Sequence, residues 1–354
     1  METSKTNTLE RPKTGSTFGR YLSEYSFVAI FLVLCLAYFC SSSQLTWNGV
    51  MNIMRHSGVI GIMSFGMGMV IITGQIDLSI GSMLALVGSM SVIVFNGTGG
   101  NILVTLLFSL GFGCFCGFIN GFLIGAVKMP AFIVTLATML IFRSVSQYSC
   151  HVFSQNLTGG NNSLFKLLSS FQSYNGLYSF GNQKILTIPM SGIFLVLITA
   201  VIVYLMTSTK YGKKVYAIGS NERAAELAGV NVNWMRVSVY VVAGLLVGVG
   251  AFFQLAMNGS IDPATTGRSF EMYAIAAVVL GGISMSGGKG KCIGILFGAM
   301  SYTVIDKIIT ALSIDSLIND AVKGTILLLA ILIQIVGPSI KAKITARKKV
   351  KAKC

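Results

Sequence analysis

Long apolar runs separated by short polar stretches dominate the hydropathy pattern of this chain. Ten of these runs resemble membrane helices, because crossing the bilayer core takes about 20 apolar residues. The predicted helices cover residues 25–42, 57–73, 78–96, 102–127, 131–147, 187–207, 237–257, 270–284, 292–312 and 319–337. Some of them are shorter than a full span, which indicates tilted, broken or re-entrant helices. The pattern predicts an all-α polytopic membrane protein with about ten transmembrane helices.

The composition supports this class and adds an orientation. Hydrophobic residues make up 53% of the 354 positions and charged residues only 10%, whereas a soluble domain carries about 25% charged residues. The net charge of +15 comes mostly from Lys and Arg in both terminal segments and between predicted spans. Basic residues favour the cytoplasmic side of a membrane. We therefore predict a cytoplasmic tail at 1–24, a single membrane domain at 25–338 and a basic cytoplasmic tail at 339–354.

Two further features concern packing. Glycines recur every four residues in the fourth predicted span, at Gly113, Gly117, Gly121 and Gly125. They form one ridge on a helix, and we interpret the ridge as a surface for close helix packing. The longest loop on the predicted outer side covers residues 148–186 and is rich in Ser, Asn and Gly. This loop is either an extracellular cap or a poorly ordered connector.

Asp77 is the one charged residue in the run from Gly58 to Asn96. A carboxylate in hydrocarbon is costly and usually faces protein, water or a partner. One interpretation is that Asp77 caps the third span by accepting a hydrogen bond from the N–H group of Ser79 or Ile80. The other is that it lines a pathway or holds a broken helix open. The two are compatible, because helix ends inside membrane proteins often form binding sites.

The segment 208–236 is the longest polar stretch between spans on the predicted cytoplasmic side. Asn221 can cap a helix, and Glu222 suits the positive N-terminal end of that helix. Residues 223–228 are good helix formers, and Gly229 fits a left-handed C-terminal cap. The sequence predicts a two-turn helix that either docks into a partner's groove or lies flat on its own protein.

Four stretches resemble the permeases of monosaccharide ABC importers of the ribose, galactose, arabinose and xylose type. They are GQIDLSIGSMLAL, INGFLIGAVKMPAFIVTLATMLIFR, YGKKVYAIGSNERAAELAGVNV and SFEMYAIAAVVLGGISMSGGKGKCIGILFGA. They follow one another in the family's order between Gly74 and Ala299. The chain departs from the family at Tyr273, where an acid is usual, and at Gln75, where the family has a second glycine.

The resemblance implies a type II ABC importer-like permease fold and several partners. These are a cytoplasmic ABC ATPase, a second permease subunit in a homodimer or heterodimer, and an extracytoplasmic sugar-binding protein. The chain itself is expected to bind no cofactor, since ATP is held by the ATPase, and no GxxxxGK[ST] phosphate loop is present. The expected location is the bacterial inner membrane, with multiple passes and both termini in the cytoplasm.

The resemblance also suggests site residues, none of them catalytic or metal-binding. The expected ATPase-coupling residues are Asn221, Glu222, Ala224, Ala225, Glu226 and Gly229. Small residues would permit close seating, and Glu222 and Glu226 would pair with basic residues of the ATPase. Candidates for the pathway of a sugar or similar small polyol are Phe65, Asp77, Asn120, Phe132, Phe252 and Glu271.

Two alternatives from other classes use the same intramembrane polar residues. A membrane-embedded enzyme could use Asp77, His56 and Glu271 as acid and base. An ion-coupled secondary transporter of a small polar solute could use Asp77 and Asp306 as proton sites. Such a carrier would need no coupling helix, and its uptake would depend on the proton gradient instead of ATP.

Overall fold

The computed structural model describes residues 25–42, 46–160, 162–312, 318, 320–326, 328, 329 and 332, and most of them are helical. The α-helices are α1 (Ser26–Ser42), α2 (Trp47–Ile72), α3 (Ile80–Gly97), α4 (Ile102–Gly121), α5 (Ala131–Val152), α6 (Gln155–Thr158), α7 (Gln172–Asn182), α8 (Met190–Ser208), α9 (Lys210–Ser220), α10 (Glu222–Leu227), α11 (Val232–Asn258), α12 (Phe270–Leu280) and α13 (Ile293–Ala311). A π-helical turn, Phe122–Ala126, continues α4. Four two-residue strands are β1 (Phe165–Lys166), β2 (Lys184–Ile185), β3 (Ile188–Pro189) and β4 (Ser260–Ile261).

Within the described residues, seven helices are long and apolar enough to cross a membrane. They are α2, α3, α4 with its π-helical turn, α5, α8, α11 and α13. Two shorter apolar helices, α1 and α12, occupy the positions of the predicted first and eighth spans. The predicted span at 319–337 is described only in part, at residues 320–326, 328, 329 and 332, and the tails at 1–24 and 339–354 lie outside the described residues. A polytopic helical protein is thus confirmed, and the count of ten stays a prediction.

The bundle has two distinct ends, which we name by what they carry. The basic end carries the segment 208–236 and the turn 282–292, which are joined by a 2.8 Å hydrogen bond from the Tyr216 hydroxyl to Gly290 O. The loop end carries the segment 148–186. The chain alternates between the two ends, as expected for antiparallel spans joined by short connections.

Helix α2 links the two ends and its contacts define their separation. At the loop end, the Trp47 indole donates a 2.6 Å hydrogen bond to Thr187 Oγ1. At the basic end, the Gly288 N–H group donates a 2.9 Å hydrogen bond to Ile72 O. The second half of α2, from Gly61 to Ile72, is buried throughout, so it forms the centre of the core.

The glycine ridge of α4 packs against α11, as predicted. A Cβ atom added at Gly117 would overlap the carbonyl oxygen of Tyr240, and one at Gly113 would overlap that of Gly244. Helix α11 also contacts the last glycine of the ridge, because a side chain at Gly125 would collide with Asn233 O. Only glycine allows two helix backbones to approach this closely.

The segment 148–186 is a packed cap and not a loose connector. Asn96, at the end of α3, donates from Nδ2 to Leu157 O at 2.9 Å and to Lys166 O at 3.0 Å. Its Oδ1 accepts a 2.9 Å hydrogen bond from the Leu168 N–H group. Phe165, a residue of the cap, is fully buried. One buried amide therefore ties three points of the cap to the bundle.

A short turn between β4 and α12 is held by Arg143 of α5. The Arg143 Nη1 atom donates to Pro263 O at 2.9 Å and to Thr266 O at 2.6 Å. Within the turn, Asp262 accepts a 2.7 Å hydrogen bond from Thr265 Oγ1. Burial by itself would raise the pKa of Asp262, but this hydrogen bond, two backbone N–H groups and the nearby Arg143 charge together hold the pKa below its usual value.

Candidate functional site

The predicted two-turn helix is present as α10, with the predicted caps. Asn221 Oδ1 accepts a 3.0 Å hydrogen bond from the Ala224 N–H group at the N-terminus. Gly229 has φ +80°, in the left-handed region that favours glycine. The Val230 N–H group donates back to Ala225 O at 3.0 Å. Local sequence therefore sets both ends of this helix. The preceding helix α9 was not predicted, although its capping residue, Thr209, has the usual N-cap chemistry.

Helix α10 has one face against the protein and the rest exposed. Ala225 is buried with Ile218 and Val232 in a small apolar cluster, so Ala225 seats the helix on its own chain. Ala224 and Leu227 face outward, and the Leu227 side chain is 84% exposed. Leu227 was absent from the predicted coupling residues. Its signal was available, because an apolar residue two positions from the buried Ala225 lies on a different face of a helix.

Glu222 takes part in an ion pair at the start of α10. Its Oε2 atom accepts a 2.6 Å hydrogen bond from Arg236 Nη2, which closes an ion pair within the chain. Arg236 therefore engages Glu222 within the chain while the Glu222 side chain stays 47% exposed, and its pairing with a basic residue of the ATPase stays a prediction. Glu226 is exposed on α10 and keeps the predicted role.

The segment 208–236, which we call the coupling segment after its expected role, is joined to the ends of the bundle helices. Gly219 of α9 lies directly against Ile72 O, where any side chain would overlap the carbonyl group. The Ser220 hydroxyl donates to Gly288 O at 3.3 Å, and Gly288 in turn donates to Ile72 O. The last turn of α2, the α12–α13 turn and the coupling segment thus form one connected unit at the basic end.

Asp77 lies inside the bundle, where the chain re-enters after α2. It is 1% exposed, and its Oδ1 atom accepts hydrogen bonds from the Ser79 N–H group at 2.8 Å and the Ser79 hydroxyl at 2.6 Å. The predicted bond from the Ser79 N–H group is present, but α3 begins at Ile80 and its N-cap is Ser79. Asp77 therefore stabilises the turn before the helix and is not the helix cap itself. Asn120 Nδ2 donates to Ser79 Oγ at 2.8 Å. Two predicted pathway residues, Asp77 and Asn120, are therefore joined through Ser79.

The other predicted pathway residues lie apart from one another. Phe65 is fully buried in the core, and Phe252 is buried against Phe253 in the loop-end half. Phe132 is 59% exposed on the side of α5. Glu271, half-buried in the first turn of α12, approaches Gly81 of α3. Their role in a pathway stays a prediction, because the structure brings no more than Asp77 and Asn120 together.

A cavity of about 400 Å³ opens in the loop-end half of the bundle, and none of the predicted pathway residues lines it. Helices α2, α11, α12 and α13 form most of its walls, and the helical residues 320–326 add Lys323. Its charged and hydrogen-bonding residues are Arg55, His56, Gln254, Asn258, Tyr273, Tyr302, Thr303, Asp306 and Lys323. Of the residues proposed for the two alternative classes, only His56 and Asp306 reach it. The cavity thus holds only one of the three residues proposed for the enzyme and one of the two proposed for the ion-coupled carrier, and Asp77 lies outside it in both cases.

One wall of the cavity is aromatic. Tyr273 and Tyr302 stack with ring centroids 4.9 Å apart and an interplanar angle of 28°. Lys323 Nζ lies 5.0 Å from the Tyr273 centroid and 2.6 Å from Asp306 Oδ1. Tyr302 and Lys323 are separated from Tyr273 by tens of residues, so sequence spacing could not have brought the three together. The one indication in the sequence was Tyr273 itself, because it departs from the family pattern.

The buried helices, the re-entrant break at Asp77 and the capped helix at the basic end define a multi-pass membrane permease, which is a transport component and not an enzyme. The chain belongs to the family described as the permease component of branched-chain amino acid transport systems, which matches residues 49–331. The match covers every described membrane helix except α1 and the start of α2. The family is typical of the bacterial inner membrane.

Individual relatives cover most of the chain. The ribose import permease protein of Bacillus subtilis strain 168 is 34% identical over 307 residues, 87% of this chain and 91% of the relative. The ribose import permease protein of Escherichia coli strain K12 is 32% identical over 88% of this chain and 93% of the relative. The xylose transport system permease protein of the same strain is 28% identical over 90% and 94%. No solved structure matches the chain significantly.

Proposed function

We propose that this chain is the permease subunit of an ATP-driven importer for a monosaccharide or similar small polyol. The family gives the class, and relatives named for ribose and xylose support a sugar as the solute. The observation that carries the ATP-driven mechanism is α10, a short capped helix at the basic end whose Leu227 side chain is 84% exposed. An exposed leucine on a rigid support is suited to a groove in a partner.

The assembly has the partners that the resemblance implies. Two permease subunits, identical or related, form the pathway, and an extracytoplasmic binding protein delivers the sugar at the loop end. Cytoplasmic ATPase subunits bind the ATP and dock on α10, where Asn221 and Gly229 fix the helix and Ala224, Glu226 and Leu227 face the partner. Ala225 and Glu222 act from within the chain, by seating α10 and by holding it to Arg236.

The basic end is the cytoplasmic end in this proposal. Basic residues are concentrated at this end, as the positive-inside rule predicts for the cytoplasmic side. They are Lys210, Lys213, Lys214 and Arg223 of the coupling segment, and Lys289 and Lys291 of the α12–α13 turn. Both tails are placed on the same side, on either side of a single membrane domain over residues 25–338. With a tenth helix at 319–337, the chain has an even number of spans and the type II importer-like arrangement.

The test is recovery of an ATPase from membranes of the source organism with the tagged chain as bait. Wild type is expected to recover an ABC ATPase. Leu227→Glu is expected to recover at least about tenfold less ATPase, because a charge cannot enter an apolar groove. The matched control is Leu186→Glu, since Leu186 is an equally exposed leucine (89%) at the loop end. This control is expected to recover as much ATPase as wild type.

Two results contradict the proposal. If the wild-type chain recovers no ATPase, the importer function fails. If Leu227→Glu recovers the ATPase as fully as Leu186→Glu does, then α10 is not the docking helix. Uptake in membrane vesicles separates the ion-coupled alternative, since that carrier would continue without ATP and stop when the proton gradient is collapsed.

A further inference from the structure

We infer that the loop-end cavity is a solute-binding site for one monosaccharide-sized, uncharged polyhydroxyl compound, with the Tyr273–Tyr302 pair as its platform. The inference rests on the proposed function and adds the place where the permease itself holds the solute. It starts from the size of the cavity, about 400 Å³, which falls in the range of about 300–1,000 Å³ typical of small-molecule sites.

The lining chemistry fits a sugar ring. A sugar presents hydroxyl groups, which both donate and accept hydrogen bonds, around a ring with apolar C–H faces. Gln254 and Asn258 each offer a donor and an acceptor, and both reach the cavity from the last turns of α11. Arg55 adds donors, and Asp306 adds an acceptor. Among the lining residues, the Asp306 carboxylate pairs with Lys323 at 2.6 Å. Arg55 then leaves the wall with one positive charge, which a neutral solute can still approach.

The aromatic wall supplies the complementary surface. Tyr273 is half-buried and Tyr302 is buried, and the pair is stacked at 4.9 Å. A stacked pair is rigid, because each ring restricts the other, and a rigid platform costs little side-chain entropy when a solute binds. The family's usual acid at the position of Tyr273 would remove the platform, and it would lose the 3.3 Å hydrogen bond that the Tyr273 hydroxyl donates to Asp320 Oδ1. Tyr273 is therefore also the residue that we expect to determine which solute this permease accepts.

The position of the cavity connects it to the coupling segment. Four helices, α2, α11, α12 and α13, form most of its walls. At the basic end, the same helices are held by the coupling segment, through Gly219 against Ile72 O, Glu222 with Arg236, and Tyr216 with Gly290 O. A displacement of α9 and α10 therefore acts on all four walls. A site whose walls move with the coupling segment can bind in one state and release in the other.

The experiment uses the complete importer in proteoliposomes, with its ATPase and a saturating amount of its binding protein. The probes are radiolabelled ribose, xylose and fructose, each assayed separately, and sugar uptake and ATP hydrolysis are measured in the same sample. The readout is the number of sugar molecules moved per ATP hydrolysed. A purely structural defect lowers both rates together and leaves this ratio unchanged, whereas a weakened site lets ATP be hydrolysed without transport.

Two pairs of variants test the site. Tyr273→Ala is expected to lower the ratio about three- to tenfold, the equivalent of one aromatic contact, and Tyr273→Phe is expected to lower it less than about threefold, because the ring remains. Asn258→Trp fills the cavity and is expected to lower the ratio at least about tenfold. Its matched control, Asn175→Trp, places the same side chain on the exposed face of α7 and is expected to match wild type.

The outcomes separate the two proposals. If the wild-type importer moves none of the three sugars with ATP, the proposed function fails, and this inference fails with it. If wild type moves a sugar while Tyr273→Ala and Asn258→Trp keep its ratio, the cavity is not the binding site and the proposed function stands. A parallel loss of uptake and hydrolysis in both variants also overturns the inference. A lowered ratio in both variants, with Asn175→Trp unchanged, supports it.

Discussion

Replacing Asp77 tests what a buried carboxylate does in the middle of an apolar bundle. Its Oδ1 atom accepts two hydrogen bonds, from the N–H group and the hydroxyl of Ser79, at 2.8 and 2.6 Å. Asp77→Ala removes the acceptor and leaves both donors in a place that water does not reach. An unsatisfied buried donor costs about 1–3 kcal/mol. We therefore expect Asp77→Ala to lower the free energy of unfolding by about 2–6 kcal/mol.

Asp77→Asn separates shape and hydrogen bonding from charge. The amide oxygen can occupy the position of Oδ1 and accept both bonds. At most, the variant loses the extra strength of bonds to an ionised acceptor, about 1 kcal/mol each. The expected loss is therefore about 2 kcal/mol or less. A structural role for Asp77 also predicts that Asp77→Asn keeps ATP-dependent uptake.

The assay is equilibrium unfolding in detergent micelles, followed by the fluorescence of Trp47 and Trp234. The double variant Asp77→Ala/Ser79→Ala is the internal control, because it removes the stranded hydroxyl together with its acceptor. We expect it to lose less than the sum of the two single variants, by about 1 kcal/mol or more. The structural role is refuted if Asp77→Asn is as unstable as Asp77→Ala. It is also refuted if Asp77→Asn is stable but transports nothing, the result expected of a proton site.

Three further predictions follow from the packing. Gly117→Val is expected to destabilise the protein by more than about 3 kcal/mol, because its side chain would overlap the Tyr240 carbonyl group. The control, Gly111→Val, should change the thermal midpoint little, because no atom lies within 4 Å of a Cβ atom built there. Asn96→Ala leaves three backbone groups of the cap without partners, and hydrogen exchange of residues 157–168 should become faster by about tenfold or more. Glu222→Gln removes an ion pair that is half-exposed on the Glu side, so stability should fall by less than about 1 kcal/mol, and a larger loss in the unfolding curve would contradict this assignment.

Local features of the sequence were enough to predict α10 and the glycine ridge. A cap depends on a side chain and backbone groups only a few residues away, as between Asn221 and Ala224 or at Gly229, so neighbouring residues decide it. The ridge depends on a four-residue period within one helix. The period could not identify α11 as the partner helix. Glycine spacing indicates that another helix packs closely, but it contains no information about which helix that is.

The site residues were harder to predict, because polar residues in a membrane protein serve packing and binding alike. Asp77 and Asn120 were correctly recognised as buried polar residues, and the structure joins them through Ser79. Phe65 and Phe252 lie in the core, where aromatic residues are common for packing alone. Which face of a helix points to a cavity depends on its rotation against its neighbours, and hydropathy in a span that is apolar on all sides carries little information about this rotation.

The sequence by itself determined the class of protein, most of the membrane helices, the caps of α10 and the close packing of the glycine ridge. These properties depend on transfer of apolar segments from water and on backbone geometry, both of which act within a segment. Only the tertiary structure decided that Glu222 pairs with Arg236, that the segment 148–186 packs as a cap, and that Tyr273, Tyr302 and Lys323 share a cavity. Such contacts join residues distant in the chain, and they arise only when the helices have packed in one particular arrangement.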